Sequence, residues 1–482
     1  MTAEIWDVVI VGAGLSGLSA ADLLRKRDGS LKILILEAKD RVGGRTVSKE
    51  FPAASGVDRW DLGGQWVGST QTHVMELIKE LGLEVYPQFS TGKKVHHMGG
   101  PASKVRTYKS NFPTLSPLVL MDFIQFLWKI DRLCATVCVR DPSQTPNAAE
   151  LDGQTLHSYI QQHVWTGGTQ QLSERLADRV GWKNVRLGSA VTAIWQDAEW
   201  ARVTTATDTF LCRAVIVTCP PHLAAKIQYE PALPTEREFL TQNMPVGHMI
   251  KFIVTYQTAF WKEKGFSGEI AAGASTDCPF AVTFDATSPR GNAALVGFIS
   301  GQQASLWASK EVGERRSAVL SSLVKYLGPE AASFIHYEEK DWAKETYNGG
   351  CPVNVMAPGL LTYYHPSLRM PCGRIHWAGT ETATQWCGYM SGAIQAGQRA
   401  ALEVLAEVSQ VVLNEEEREV LQQSLPVQSP AKPTTSWKLT GKPVLLATLA
   451  GGAALLLARH PDALIKLRNL MKTFVTGRFG LF

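Results

Sequence analysis

Several residues in this chain combine reactive side chains with informative spacing. Gly12-x-Gly14-x-x-Gly17 follows the apolar run 8–11 and opens a helical pattern over 18–24. Glycines at that spacing permit a tight turn and close approach to a pyrophosphate, which the free N–H groups of a helix N-terminus attract. Glu37 lies 23 residues after Gly14, at the end of a second apolar run, 33–36, where a carboxylate can accept hydrogen bonds from ribose hydroxyls. Strand, turn, helix and acid together point to a dinucleotide without saying which one. Lys251 interrupts the apolar stretch Gly247-His-Met-Ile-Lys-Phe-Ile-Val-Thr-Tyr256. A buried lysine is rare unless paired or functional; the alternative is a lysine at a sheet edge with its head in water. Cys351 follows the paired glycines 349 and 350. A lone cysteine is most often a small buried hydrophobe, and its other use is as a nucleophile.

These residues need a scaffold. Residues 8–11 and 33–36 read as strands buried on both faces of a parallel sheet. Arg41-Val-Gly-Gly-Arg45-Thr46 is a glycine turn with two arginines, whose planar, permanent charge suits phosphate; a solvated surface turn is the alternative. Asp61-Leu-Gly63-Gly64-Gln65-Trp66-Val-Gly68 is a second glycine-dense turn, where backbone can pass close to a flat ring. Residues 73–81 read as a helix, whereas 87–166 lack a strand–helix rhythm. The apolar stretch 118–138 is interrupted by Trp128, Lys129, Asp131 and Arg132, so it reads as a core helix rather than a membrane span. A polar connection over 141–152 leads to a helical pattern over 151–163, with His157 and His163 as ordinary polar residues. Strands are expected over 185–195, 201–205, 210–217, 249–256 and 294–299, with a helix over 311–327.

Together, Gly12, Gly14, Gly17, Glu37, Gly43-Gly44-Arg45 and Asp61-Leu62-Gly63-Gly64 resemble the flavin amine oxidase superfamily. The block Trp342…Tyr347-Asn-Gly-Gly-Cys351…Gly379-Thr380-Glu381-Thr…Trp386-Cys-Gly-Tyr389-Met390 resembles its monoamine oxidase branch. The resemblance implies an α/β fold of two lobes. A discontinuous Rossmann-like FAD domain covers 1–86, 167–240 and 345–407, and an α+β substrate domain covers 87–166 and 241–344. It implies FAD held by the three glycines, Glu37 and Arg45, with Gly63, Gly64, Gln65 and Trp66 near the flavin and the Val191 backbone at the adenine. Trp342, Tyr347, Gly379, Thr380, Glu381, Tyr389 and Met390 complete that set, and Cys351 would link the flavin as a thioether. Lys251 would hold a water beside flavin N5, and Tyr389 would form one wall of an aromatic cage that orients the amine. Pro352 stands where the monoamine oxidases carry the second ring. Trp165-Thr166 runs straight into Gly167-Gly168, where the family normally has a largely helical segment of the substrate lobe. The implied reaction is oxidation of an amine by oxygen to an aldehyde, ammonia and hydrogen peroxide. Polyamine or amino-acid oxidation, and a flavin-binding form impaired by the shortened lobe, stay open as alternatives.

Bulk properties agree. At 482 residues the chain exceeds a single core, and 45% hydrophobic with 19% charged residues is a globular composition. The net charge of +4 sits in the C-terminal stretch 459–482, so nothing suggests nucleic-acid binding. The eight cysteines show no metal-ligand spacing, and no metal is expected. No basic-then-apolar leader precedes the first strand, so a cleavable secretory signal is not expected. Residues 408–443, with Pro426, Pro430 and Pro433, read as a linker that is extended from Glu415 onward. Residues 444–458 form an apolar segment between Lys442 and Arg459, and 459–482 a basic amphipathic tail. That pattern resembles a mitochondrial outer-membrane tail anchor with the catalytic body facing the cytosol. A homodimer is the assembly the resemblance admits.

Overall fold

The computed structural model describes residues 4–97, 102–109, 125, 128, 132, 163–165, 168–273, 275 and 277–424. Most of the expected helix over 118–138, the connection over 141–152, the apolar segment 444–458 and the tail 459–482 lie outside them. Among the described residues no helix is long and apolar enough to cross a membrane.

The first sheet is built around β1 (Ile5–Val11), which runs parallel to β2 (Ile33–Leu36) on one side and to Thr209–Val217 on the other. Val8, Val9 and Ile10 are fully buried, as are Leu34 and Ile35, because both faces of the sheet are covered. Each such side chain contributes about 1.5–3 kcal/mol of burial free energy. One face packs against α1 (Leu15–Arg27) and the helices Gln170–Val180 and Met390–Val408. A Cβ on Gly397 would lie 2.1 Å from the Ser16 carbonyl oxygen, so only glycine lets the last helix approach α1 this closely. The strand Ile375–Trp377 joins the sheet beside Thr209–Val217, bringing the C-terminal block to the cradle.

The second sheet runs in the order Phe334–Asp341, Met249–Tyr256, Ala293–Ser300, Val282–Asp285, Phe266–Ala272, Lys93–His97, Arg106–Tyr108. Every residue of Met249–Tyr256 is buried, and the strand pairs antiparallel with a neighbour on each side. Lys251 is therefore an interior residue, and the sheet-edge alternative is excluded. The hairpin β3 (Ser48–Ala53) and β4 (Gly56–Asp61) ends in the glycine-dense turn.

Three local expectations are corrected. The strand expected over 185–195 is two strands, Val185–Arg186 beside β2 and Val191–Gln196 farther along the same sheet. Gly188, at φ +66°, turns the chain between them, and the N–H groups of Gly188 and Ser189 donate to the Lys39 and Glu37 carbonyls. His163 does not end a helix; it begins the strand His163–Trp165, paired with Trp66–Val67 and Val85–Pro87. The extended reading from Glu415 onward also fails at its start, because Glu415–Ser424 is a helix. Asn414 and Glu417 cap it reciprocally: the Glu417 N–H donates to Asn414 Oδ1 and the Asn414 N–H to Glu417 Oε2, both at 2.8 Å. Glu417 also pairs with Arg27 at 2.9 Å, and Leu421 packs on the core.

Candidate active site

The N-terminal cradle follows from its glycines. Gly12 adopts φ +107°, and a Cβ there would lie 2.6 Å from Thr218 Oγ1; one on Gly17 would lie 2.0 Å from the Gly12 carbonyl oxygen. Gly14 differs: a Cβ there would meet nothing within 4 Å, so this glycine faces open space. It is the N-cap of α1, with no side-chain cap and no acid in the first turn. The Met390–Val408 helix, capped at Tyr389, also lacks a side-chain cap and an acid in its first turn. Gly379 N–H donates to Ser16 Oγ at 2.9 Å, tying the two segments together. Two helix ends with free N–H groups and partial positive charge fit the pyrophosphate of a dinucleotide. Glu37 is buried, and its carboxylate accepts from the Ala13 N–H at 2.7 Å and the Lys39 N–H at 3.0 Å. It thus braces the turn, a role not apparent from spacing. Val191 is partly buried at the start of its strand.

Arg41 and Arg45 part company. The Arg41 guanidinium donates to the Val42, Gly44 and Thr46 carbonyls and to Glu345, so it is saturated by protein. Arg45 donates to both carboxylate oxygens of Glu381, at 2.6 and 3.0 Å, and to the Pro352 carbonyl at 2.8 Å. Burial opposes the Glu381 charge, but Arg45 holds this carboxyl below its ordinary range. The pair fixes the segment carrying Cys351 against the 41–46 turn. Burial pushes the Cys351 thiol up to about 11 although Arg45 and Lys251 pull the other way, so it is protonated at neutral pH.

The second glycine turn is held from three directions. Trp342 Nε1 donates to the Leu62 carbonyl at 3.0 Å, Lys251 Nζ to the Gly63 carbonyl at 3.0 Å, and Thr169 Oγ1 to the Gly64 carbonyl at 2.6 Å. Lys251 Nζ also donates to Gln65 Oε1 at 2.7 Å and lies 5.2 Å from the Trp66 ring and 5.7 Å from Phe298. Burial pulls this lysine down to about 7, against the opposing pull of Asp61 and then Cys351. Its side chain can therefore interconvert between ammonium and neutral amine near neutrality.

The C-terminal block meets that turn. Met390 packs over Gly64, with Cγ and Sδ 3.7 Å from where its Cβ would be. Thr380 Oγ1 donates to the Tyr389 carbonyl at 3.0 Å and accepts from the Gly388 N–H at 2.8 Å. The Trp386 ring stands edge-on to Tyr389 at 5.5 Å. On the Lys251 side, Trp66 contacts Phe284 and Phe298, both at 5.6 Å between centroids. Trp342 is fully buried, whereas Tyr347, at φ +59°, is 47% exposed and is the sequence-selected residue least drawn into this assembly. Composition and spacing did not single out Thr169, Ser16 or Thr218. A threonine directly after Gly167-Gly168 was the available signal for the first.

A cleft adjoins Trp66, lined by Tyr86, Pro87, Gln88, Phe89, Lys262, Asp285, Thr287 and Ser288. Its acid is occupied: Asp285 Oδ2 accepts from Trp261 Nε1 at 2.9 Å and pairs with Lys262 at 3.1 Å. Among the described residues no cluster of His, Cys, Asp and Glu could hold a metal ion.

Comparison with known proteins agrees with this geometry. The family described as "Flavin containing amine oxidoreductase" matches residues 15–128 and 120–405. Human "Amine oxidase [flavin-containing] B" is 35% identical over 489 residues, covering 89% of this chain and 91% of that protein. The solved cyclohexylamine oxidase of Brevibacterium oxydans superposes with a TM-score of 0.76 at 32% identity, covering 84% and 99% of the two chains. A putrescine oxidase bound to putrescine gives 0.78 at 27%, covering 84% and 100%. The chain belongs to the flavin-containing amine oxidase family, and its fold and monoamine oxidase-like enzyme class follow from that membership.

Proposed function

We propose that this enzyme deaminates primary or secondary aryl-alkyl amines oxidatively, with FAD attached through Cys351. The observation that carries the substrate class is the aromatic trio Trp66, Phe284 and Phe298 beside Lys251, combined with a neighbouring cleft whose carboxylate is already neutralised. A polyamine needs a free acid for its second ammonium, and an amino acid needs a free cation for its carboxylate. Asp285 and Lys262 offer neither, because each satisfies the other.

FAD supplies the acceptor for hydride equivalents from the amine α-carbon and, once reduced, the electrons for oxygen. The residues that would hold it are Gly12, Gly14, Gly17, Glu37, Arg45, Gly63, Gly64, Val191, Gly379, Thr380 and Met390. The chain's own work is to bind and orient. Tyr389 presents a ring to the amine nitrogen, and the aromatic trio takes the apolar part of the substrate and excludes water. Lys251 holds a proton behind the glycine turn, within the range where it can be given up at neutral pH. The domain boundaries drawn from the sequence, the membrane anchor over 444–458, the mitochondrial outer-membrane location and a homodimer belong to the same proposal.

A second reading, an impaired flavin-binding short form, has a specific observation behind it. The alignment with the human relative runs over 489 residues, more than the 482 of the whole chain, so it contains positions this chain leaves unfilled. Pro352 also stands where the monoamine oxidases carry the second ring of the cage. Acid denaturation tests the attachment: flavin should stay with the protein, on the peptide carrying Cys351. Peroxide release should occur with aryl-alkyl amines and not with polyamines or amino acids. Retained flavin with no peroxide from any amine would select the impaired form.

A further inference from the structure

Asp61 is the one charged residue of the glycine turn that the reaction leaves without a task. It is 4% exposed. Its Oδ1 accepts from Ser48 Oγ at 2.7 Å and from the Thr169 N–H at 2.8 Å, and lies 3.0 Å from Thr169 Oγ1. Thr169 in turn donates to the Gly64 carbonyl, while Lys251 donates to the Gly63 carbonyl. Carboxylate and ammonium thus grip adjacent peptide groups of one turn, Asp61 through Thr169 and Lys251 directly. Among the described residues no direct ion pair joins them. We propose that Asp61 is a positioning residue for Lys251, supplying the buried counter-charge that keeps its ammonium protonated across the turn at residues 62–64.

Other charged and titratable groups nearby do not replace it. Cys351 faces Lys251 but carries a protonated thiol at neutral pH. Lys340 stands opposite Lys251 in register on Phe334–Asp341, yet its ammonium turns to Glu345 and the Trp342 ring. Tyr86 senses Asp61 and is pushed further from ionisation by it. Ser300 and Phe298, on Ala293–Ser300, bring no charge. Burial raises the proton affinity of the Asp61 carboxyl and lowers that of Lys251, and each charge opposes the burial penalty of the other. The inference rests on the reading of Lys251 as the cation beside the flavin, but its test requires neither flavin nor amine.

The test is a double-mutant cycle on the full chain, with Asp61→Asn and Lys251→Met singly and together, read as melting temperature at pH 6 and pH 9. Asn keeps an acceptor for Ser48 and the Thr169 N–H, so loss of the hydrogen bonds alone would cost the same at both pH values. Expected is a drop for D61N that is clearly larger at pH 6, where Lys251 is charged, than at pH 9. In the K251M background the drop at pH 6 should shrink, while at pH 9 the two backgrounds should lose about equally. A pH-independent drop, or one that persists unchanged with K251M, overturns the proposal. If D61N fails to fold, recovery of folded protein by adding K251M supports it. If neither folds, Ser48→Ala weakens the same carboxylate and must show the same pH-dependent cost; a flat cost there also overturns it. Peroxide assays on the wild type separate the two readings: silence with every amine removes the oxidase proposal while leaving the cycle's outcome intact.

Discussion

Gly63 and Gly64 are adjacent, yet the structure assigns them opposite sensitivities. A Cβ on Gly63 would lie 2.2 Å from the Arg45 carbonyl oxygen and 2.8 Å from the Val47 nitrogen, both backbone atoms. Reaching even 3.0 Å from that oxygen needs a backbone displacement of about 0.8 Å. The turn would have to move away from its supports. The Gly64 N–H donates to the Arg45 carbonyl at 3.1 Å, and Lys251 donates to the Gly63 carbonyl at 3.0 Å. Overpacking costs about 1–3 kcal/mol, and each weakened hydrogen bond about 0.5–1.5 kcal/mol. Gly63→Ala should therefore lose about 2–6 kcal/mol of stability. A Cβ on Gly64 meets only the flexible Met390 side chain, at 3.7 Å, which is ordinary contact, so Gly64→Ala should change stability by less than about 0.5 kcal/mol. Melting temperatures of the two variants and wild type, with bound flavin per chain measured on the same samples, decide the matter. Equal losses, or a harmless Gly63→Ala, would refute the placement of the turn.

Three further outcomes follow from charge and capping. Burial opposes a charge on His376, but hydrogen bonds to Glu403 and Glu407, both at 3.0 Å, raise its proton affinity above the ordinary value. A raised folded value gives stability that is fully present below about pH 6.5 and is lost as pH rises through the raised, folded-state value, so wild type should lose its melting advantage over His376→Gln between pH 6 and 9. Glu345 behaves oppositely: burial resists its charge, yet hydrogen bonds from Lys340 and Lys39 hold it down to about 2. Its contribution is present above about pH 4.5 and lost toward pH 2, so Glu345→Gln should flatten the acid limb of the melting curve. Truncation after Gln423, which keeps nearly all of the Glu415–Ser424 helix and its Asn414 cap, should leave the fold intact and release the protein from membranes. Pelleting equal to that of the full chain would remove the anchor over 444–458.

Much of the scaffold was legible because its causes are local. Residues 8–11 and 33–36 are uninterrupted apolar runs, and a strand covered on both faces demands that; both are strands at the centre of the first sheet. Gly17 marks the turn because a Cβ there collides with the Gly12 carbonyl five residues back, whereas Gly12 is demanded by its φ of +107° and by Thr218 from a distant part of the chain. The helix Glu415–Ser424 was equally available in the Asn414-x-x-Glu417 spacing, but the prolines farther on outweighed it. The split at Gly188 was harder, since the residues on either side share strand character and only sheet order sends them to separate places. Lys251 could be picked out as an anomaly in an apolar run, and residue pattern carried it no further. Whether that lysine was an edge residue or an interior cation depended on which strands flank Met249–Tyr256. Only the family resemblance separated Arg45 from Arg41, and it gave no sign of Glu381, 336 positions away, which takes the Arg45 guanidinium. By itself the sequence determined the local elements, the dinucleotide turn and the residues able to react, because hydrogen-bonding pattern and burial period are short-range properties. Only the tertiary structure decided which charges meet, since Asp61, Thr169 and Lys251 come together through sheet order and glycine-permitted close packing rather than through any spacing along the chain.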